Sequence, residues 1–206
     1  QTNKLRPSSQ IWRKKKDNMA KATAVCTCKI CNKNFEVEHK CYNRDDADRW
    51  EMWAQKHYDI CPDCRREKAR KEASQSNAAS RTMGLADLYG SPYTIPKATE
   101  VRNKFIQESK ETILLNMKAI KRAKACGRDT AKDELTIQRL IGTRDYVLKR
   151  QRSASWWIGN QEAIWSTLNW VYREHREEID SQLKDSVDRF MNTVTSENTQ
   201  ASNKED

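Results

Sequence analysis

Five of the seven cysteines in this 206-residue chain lie in two short runs, Cys26-Thr27-Cys28-Lys29-Ile30-Cys31 and Cys61-Pro62-Asp63-Cys64. Thiolates bind soft and borderline cations. A two-residue spacer lets one tight turn present two sulfurs to the same ion, and two such turns complete the tetrahedral shell that zinc prefers. Cys28, Cys31, Cys61 and Cys64 are therefore predicted to hold one structural Zn2+ ion. Lys29, Lys33, Arg65 and Arg66 flank the pairs and would offset the negative charge of a zinc tetrathiolate. Cys26 and Cys41 are left over and read as small buried residues beside the site. The spacing leaves open that Cys26 replaces Cys28, or that His39 or Cys41 joins the shell. Cys126, next to Gly127, reads as a buried or half-buried thiol at a helix end.

Four thiolates close the shell, whereas a catalytic zinc keeps a position for water and a base nearby. His39, His57 and His175 form no H-E-x-x-H pattern. No H-x-E precedes the CPDC pair, and neither a phosphate-cradling glycine loop nor G-x-S-x-G occurs. Glu174-His175 sits among alternating charges and reads as a solvated helix face. The expectation is a protein that binds rather than catalyses.

What it binds is suggested by charge. The net charge is +10, and residues 1–18 carry +5 of it. If the native start is Met19, half of the argument from bulk charge goes with those residues. Three basic stretches remain: Arg65, Arg66 and Arg70; Lys118, Lys121, Arg122, Lys124 and Arg128; and the run from Arg144 to Arg152. Each reads either as a solvated helix face or as a set of phosphate contacts. Trp50 and Trp53 read as packing over the metal site or as a stacking surface. Trp156 and Trp157 are adjacent and must point to different faces, so one is core and the other is available to a partner. Trp165 and Trp170 lie off the main apolar stripe, and a widened core stripe is expected to include them.

The elements that would position these residues are expected to form an α+β, mostly α, fold: a small treble-clef-like zinc ribbon with an inserted helix, followed by a helical module. Asn34–Glu38 alternates polar and apolar residues, as a strand does, and Arg44–Ala54 has the acidic first turn of a helix. Pro62 suits a first helical turn, so CPDC opens a basic helix. Val101, Phe105, Ile113, Met117 and Ile120 mark a helix ending near Gly127. A second begins at Asp129 or Thr130, with Gly142 as a possible interruption. A third, long helix carries Ile164, Leu168, Val171, Ile179, Leu183, Val187, Phe190 and Val194, a stripe long enough to need a partner helix or a second copy of the chain. The domain reading is a basic disordered arm over 1–22, the ribbon over 23–72, a linker over 73–98, the helical module over 99–194 and a disordered tail over 195–206. No run of about 18 apolar residues is present, so no membrane span is expected.

Three stretches also carry a resemblance: Asn43-Arg44-Asp45-Asp46-Ala47-Asp48 leading to Trp53; Met83-Gly84-Leu85-Ala86-Asp87-Leu88-Tyr89-Gly90-Ser91; and Ala154-Ser155-Trp156-Trp157-Ile158-Gly159-Asn160. Together with the cysteine pairs, they resemble small zinc-ribbon accessory proteins carried by phages and plasmids of gut bacteria, a group that includes zinc-containing anti-CRISPR proteins. The resemblance implies a bacterial cytoplasmic location. It also implies a partner that is nucleic acid or a nucleoprotein, including a Cas effector nuclease.

Overall fold

The computed structural model describes residues 19–202, with side chains through Ser196. Residues 1–18 of the expected basic arm and the last four of the expected tail lie outside the described residues. Contacts divide the chain after Ala69 into two units.

The first unit is a hairpin covered by a helix. Strand β1 (Ala20–Thr27) pairs antiparallel with β2 (Asn34–Cys41), in a register running from Ala20 opposite Cys41 to Thr27 opposite Asn34. Residues 20–22, expected in the arm, belong to β1. One face of β1 carries Ala22, Ala24 and Cys26, all buried. Such small side chains let helix α1 (Arg44–His57) lie close, with its own Ala47 and Ala54 fully buried against the sheet. The Asn43 side chain caps α1 by accepting from the Asp46 N–H at 2.8 Å, and Asp45 and Asp46 complement the helix dipole. Helix α2 (Pro62–Thr82) starts at the expected proline and runs across the division between the units.

The stretch 73–98 is only partly the expected linker. Its first ten residues are helix α2, and turns and irregular chain occupy Met83–Thr94. This segment is pinned at several points. The Asn77 side chain both accepts from the Leu88 N–H and donates to the Leu88 carbonyl. Arg102, fully buried, donates to the Ala86 carbonyl at 2.8 Å, and Arg152 donates to that of Asp87. Tyr89 donates to the Arg152 carbonyl and accepts from the Ala154 N–H, both at 2.9 Å. The two signature stretches M-G-L-A-D-L-Y-G-S and A-S-W-W-I are thus neighbours joined by a short parallel bridge between Tyr89 and Ser153.

Gly90 sits in this joint with φ +153°, and a Cβ there would lie 3.0 Å from the Ala154 Cβ and 3.3 Å from the Thr94 hydroxyl. Gly90→Ala is expected to destabilise the second unit by about 1–3 kcal/mol through backbone strain and crowding. Gly84→Ala, at the milder φ of +70° and with nothing within 4 Å, is expected to cost less, and urea unfolding of the two variants compares them. Equal losses would remove the crowding argument.

The rest of the second unit is helical: α3 (Ile95–Ala125), α4 (Ala131–Arg150), α5 (Ala154–Gly159), α6 (Ile164–Glu174), α7 (Arg176–Ser181) and α8 (Leu183–Ser202). Helices α3 and α4 meet at a turn in which Gly127 has φ +74°, the left-handed conformation of a helix stop. The expected single long helix is instead three, α6, α7 and α8, preceded by the short α5. Residues 160–163 separate α5 from α6, while His175 and Gln182 leave helical geometry with ψ of 26° and 8°. These breaks fold the apolar stripe back on the chain. Ile164, Leu168, Val171, Ile179 and Phe190 are all buried within the unit against α3 and α4, so helices of the same chain supply the partner that the stripe was expected to need.

Gly142 does not interrupt α4. It is buried there, and a Cβ would come within 3.1 Å of Ile179 and 3.3 Å of Leu183, so its small size lets α7 and α8 pack closely. The tail expected to be disordered from residue 195 is helical through Ser202.

Candidate metal centre

The hairpin turn is the first ligand turn. Between Thr27 and Asn34 the chain folds back through two backbone bonds at 2.9 Å, from the Asn32 N–H to the Cys28 carbonyl and from the Cys28 N–H to the Lys33 carbonyl. Asn32 takes φ +56°, which asparagine tolerates better than most residues. The second turn precedes α2. The Cys61 carbonyl accepts from the Arg65 N–H at 2.9 Å, and the Cys64 N–H points at the Cys61 sulfur at 3.4 Å. A 2.8 Å bond from the Lys29 N–H to the Asp59 carbonyl ties one turn to the other.

The four sulfurs of Cys28, Cys31, Cys61 and Cys64 lie within 4.8 Å of one another and can hold a metal ion. The Cys31 and Cys61 sulfurs are 3.8 Å apart. This is the edge of a tetrahedron with metal–sulfur bonds of about 2.3 Å, and far longer than a disulfide bond of about 2.05 Å. Cys28 and Cys61 are buried, Cys64 is half-buried and Cys31 is exposed.

The electrostatics of the cluster suit a cation. The Cys61 backbone N–H, helped by those of Cys31 and Ile30, outweighs burial and lowers the Cys28 thiol pKa to about 6. Cys64 is pushed up to about 12, first by hydrogen bonding with the Cys61 and Cys31 sulfurs, then by burial and the Cys28 charge. Left alone, the cluster admits one thiolate and opposes the next. A bound cation removes that opposition, and all four sulfurs can then act as ligands.

The register decides the alternatives. Cys41 pairs with Ala20, seven residues along the hairpin from the ligand turn, or about 23 Å at 3.3 Å per residue. His39, two residues before it, stacks on Trp50 with ring centres 5.2 Å apart. Neither reaches the cluster. Cys26 points toward α1 and donates to the Ala54 carbonyl at 3.6 Å, and burial raises its pKa. Cys126, expected to be at least half-buried, is exposed.

The aromatic candidates sort differently from expectation. Trp50 is half-buried between His39 and Tyr58. Trp53 is the exposed one, at 47%, and lies parallel to His57 with ring centres 4.4 Å apart. The signal was in the spacing: Ala47, Trp50 and Ala54 share the face turned to the sheet, and Trp53 does not. Trp157, a candidate contact, is fully buried. Its indole N–H donates to the Gln151 carbonyl at 2.9 Å, and it has no surface to offer. Trp156 is half-buried and edge-on to it. Trp165 and Trp170 are 38% and 59% exposed, so they do not widen the core stripe.

Arg65, Arg66 and Arg70 are exposed on α2. Lys118, Lys121 and Arg122 are exposed near the end of α3 and make no ion pair among the described residues. Lys124 pairs with Glu134 at 3.1 Å, and Arg128 is exposed in the following turn. The third basic stretch is largely committed internally. Arg144 bonds Ser109, Lys149 pairs with Asp145, Arg150 with Glu178, and Arg152 holds the Asp87 carbonyl. Comparison of the chain with protein-family models, curated proteins and solved structures found no match.

Proposed function

We propose that this protein is a non-enzymatic binding protein stabilised by one structural zinc ion, and that it engages nucleic acid or a nucleoprotein through exposed basic helices. The observation that carries the reading is the closed set of four sulfurs at the root of α2, directly followed by exposed arginines. Zinc is favoured over other cations by an all-thiolate, tetrahedral donor set. The order of ligand turn, strand, helix and second ligand turn at a helix start supports a treble-clef-like ribbon with α1 inserted and β1 added. The resemblance to accessory proteins of phages and plasmids supports reading this activity as that of a mobile element in the bacterial cytoplasm. No helix among the described residues is long and apolar enough to cross a membrane.

A second reading rests on the exposed Trp165 and Trp170. These fit a protein-directed contact, and a Cas effector nuclease is the partner the resemblance implies. Salt separates the two. Binding of the zinc-loaded chain to a short duplex or single strand should weaken steeply between 50 and 200 mM salt, roughly tenfold or more for a few phosphate contacts. Lys118→Glu, Lys121→Glu and Arg122→Glu together should flatten the slope. No affinity for DNA or RNA at low salt would sink the first reading in favour of the second.

A further inference from the structure

Within the second unit, α3, α4, α8 and the Met83–Ala86 segment enclose a cavity of about 640 Å³. That is within the range of roughly 300–1,000 Å³ typical of small-molecule sites. Ile106, Leu148 and Phe190 give it apolar walls.

Apart from Lys110, its charged lining is Arg144, Lys149, Arg189 and one acid, Asp145. That carboxylate is already engaged, by Arg189 at 2.7 Å, the Ser186 hydroxyl at 2.9 Å and Lys149 at 3.0 Å. Arg144 is different. Its Nε donates to the Ser109 hydroxyl at 2.8 Å, and its guanidinium lies over the Phe190 ring, 5.5 Å from the centre. Ser109 is fully buried, and its own hydroxyl donates to the Ile106 carbonyl, so it holds Arg144 in a fixed direction. Asp145 next to it attracts the guanidinium without bonding it, and among the described residues no protein acceptor bonds its two terminal nitrogens. Elsewhere in this unit the structural arginines spend a terminal nitrogen or Nε on a protein acceptor, Arg150 and Arg189 on carboxylates and Arg102 and Arg152 on backbone carbonyls, whereas Arg144 spends only its Nε, on a hydroxyl. A guanidinium fixed through Nε, with both terminal amines unspent, is preorganised for a planar or tetrahedral oxyanion.

We propose that this cavity binds a small organic anion, an apolar ring body bearing a phosphate or a carboxylate, with the oxyanion on Arg144 and the body against Leu148 and Phe190. The probe is 8-anilinonaphthalene-1-sulfonate, an aromatic body with one oxyanion, added to the full metal-loaded chain at low salt and followed by fluorescence. Adenosine monophosphate and 2-naphthoate serve as competitors that distinguish phosphate from carboxylate ligands. Saturable binding displaced by one of them is expected. Arg144→Leu should weaken it at least tenfold, and Arg144→Lys less. If circular dichroism shows that Arg144→Leu does not fold, Gln107→Trp decides instead, because it crowds the exposed rim and leaves Arg144 in place. Probe binding that neither competitor displaces, no binding at all, or binding unchanged in the folded variants overturns the proposal.

Discussion

Cys64→Ser is expected to unfold residues 20–69 and to leave the second unit folded. The first unit has almost no conventional core. Its buried apolar residues are alanines and cysteines, with Phe35, Val37, Trp50 and Tyr58 only half-buried. A unit of this size without large buried side chains cannot offset its chain entropy and needs a covalent or metal staple. Under the zinc reading, the ion's apparent binding free energy, about 10–16 kcal/mol in finger peptides at neutral pH, becomes folding free energy. Removing one ligand leaves three sulfurs and a weakened site.

Backbone amide NMR reads this directly. Dispersed resonances of the hairpin and α1 should collapse in Cys64→Ser, and equally after chelation of the wild type, while those of α3–α8 persist. Metal analysis should give one ion per wild-type chain. Cys26→Ser should still bind one ion, because Cys26 faces α1 and not the cluster. A first unit that stays folded with the metal removed would end the structural-metal argument.

Trp157→Ala is expected to be the most damaging single truncation in the second unit. The side chain is fully buried among Phe105, Trp156 and the α3 and α6 apolar residues. Its loss creates a large cavity and leaves the Gln151 carbonyl without its donor. Truncations of this kind cost about 3–5 kcal/mol. A typical domain has only about 5–15 kcal/mol in total. Trp170→Ala, at an exposed position of the same unit, should change stability by roughly 0.5 kcal/mol or less. Urea unfolding of the metal-loaded proteins measures both. A loss below about 1 kcal/mol for Trp157→Ala would mean that the joint between the two signature stretches is held by its backbone bonds alone.

The ligand set was legible because thiol spacing is a local property: one turn needs two residues between its sulfurs, whatever surrounds it. The α3 and α4 helices were legible for the same reason, since apolar periodicity and Gly127 act over a few residues. Strand β1 was missed because its inward face is alanine, which carries little strand preference, so the alternation Ala20, Ala22, Ala24, Cys26 did not stand out. The breaks at His175 and Gln182 were missed because neither is proline or glycine. The stripe continues through them at helical spacing, and tertiary packing against α4 imposes the bends. Gly142 was misread as a weakness when its role is close approach, which depends on Ile179 and Leu183 almost forty residues away. The signature stretches gave no hint that they touch, because a single parallel bridge leaves no periodic trace.

All four sulfurs lie between residues 28 and 64, inside the first unit. All four cysteines are therefore polymerised before any of α3–α8. Each ligand pair closes a loop of only three residues, so the first pair can hold an ion with two positions open while α1 is still being synthesised. The arrival of Cys61 and Cys64 closes the shell and fixes the first turn of α2 at once. Under the structural-metal proposal, metal supply then sets the moment at which the N-terminal unit folds during synthesis.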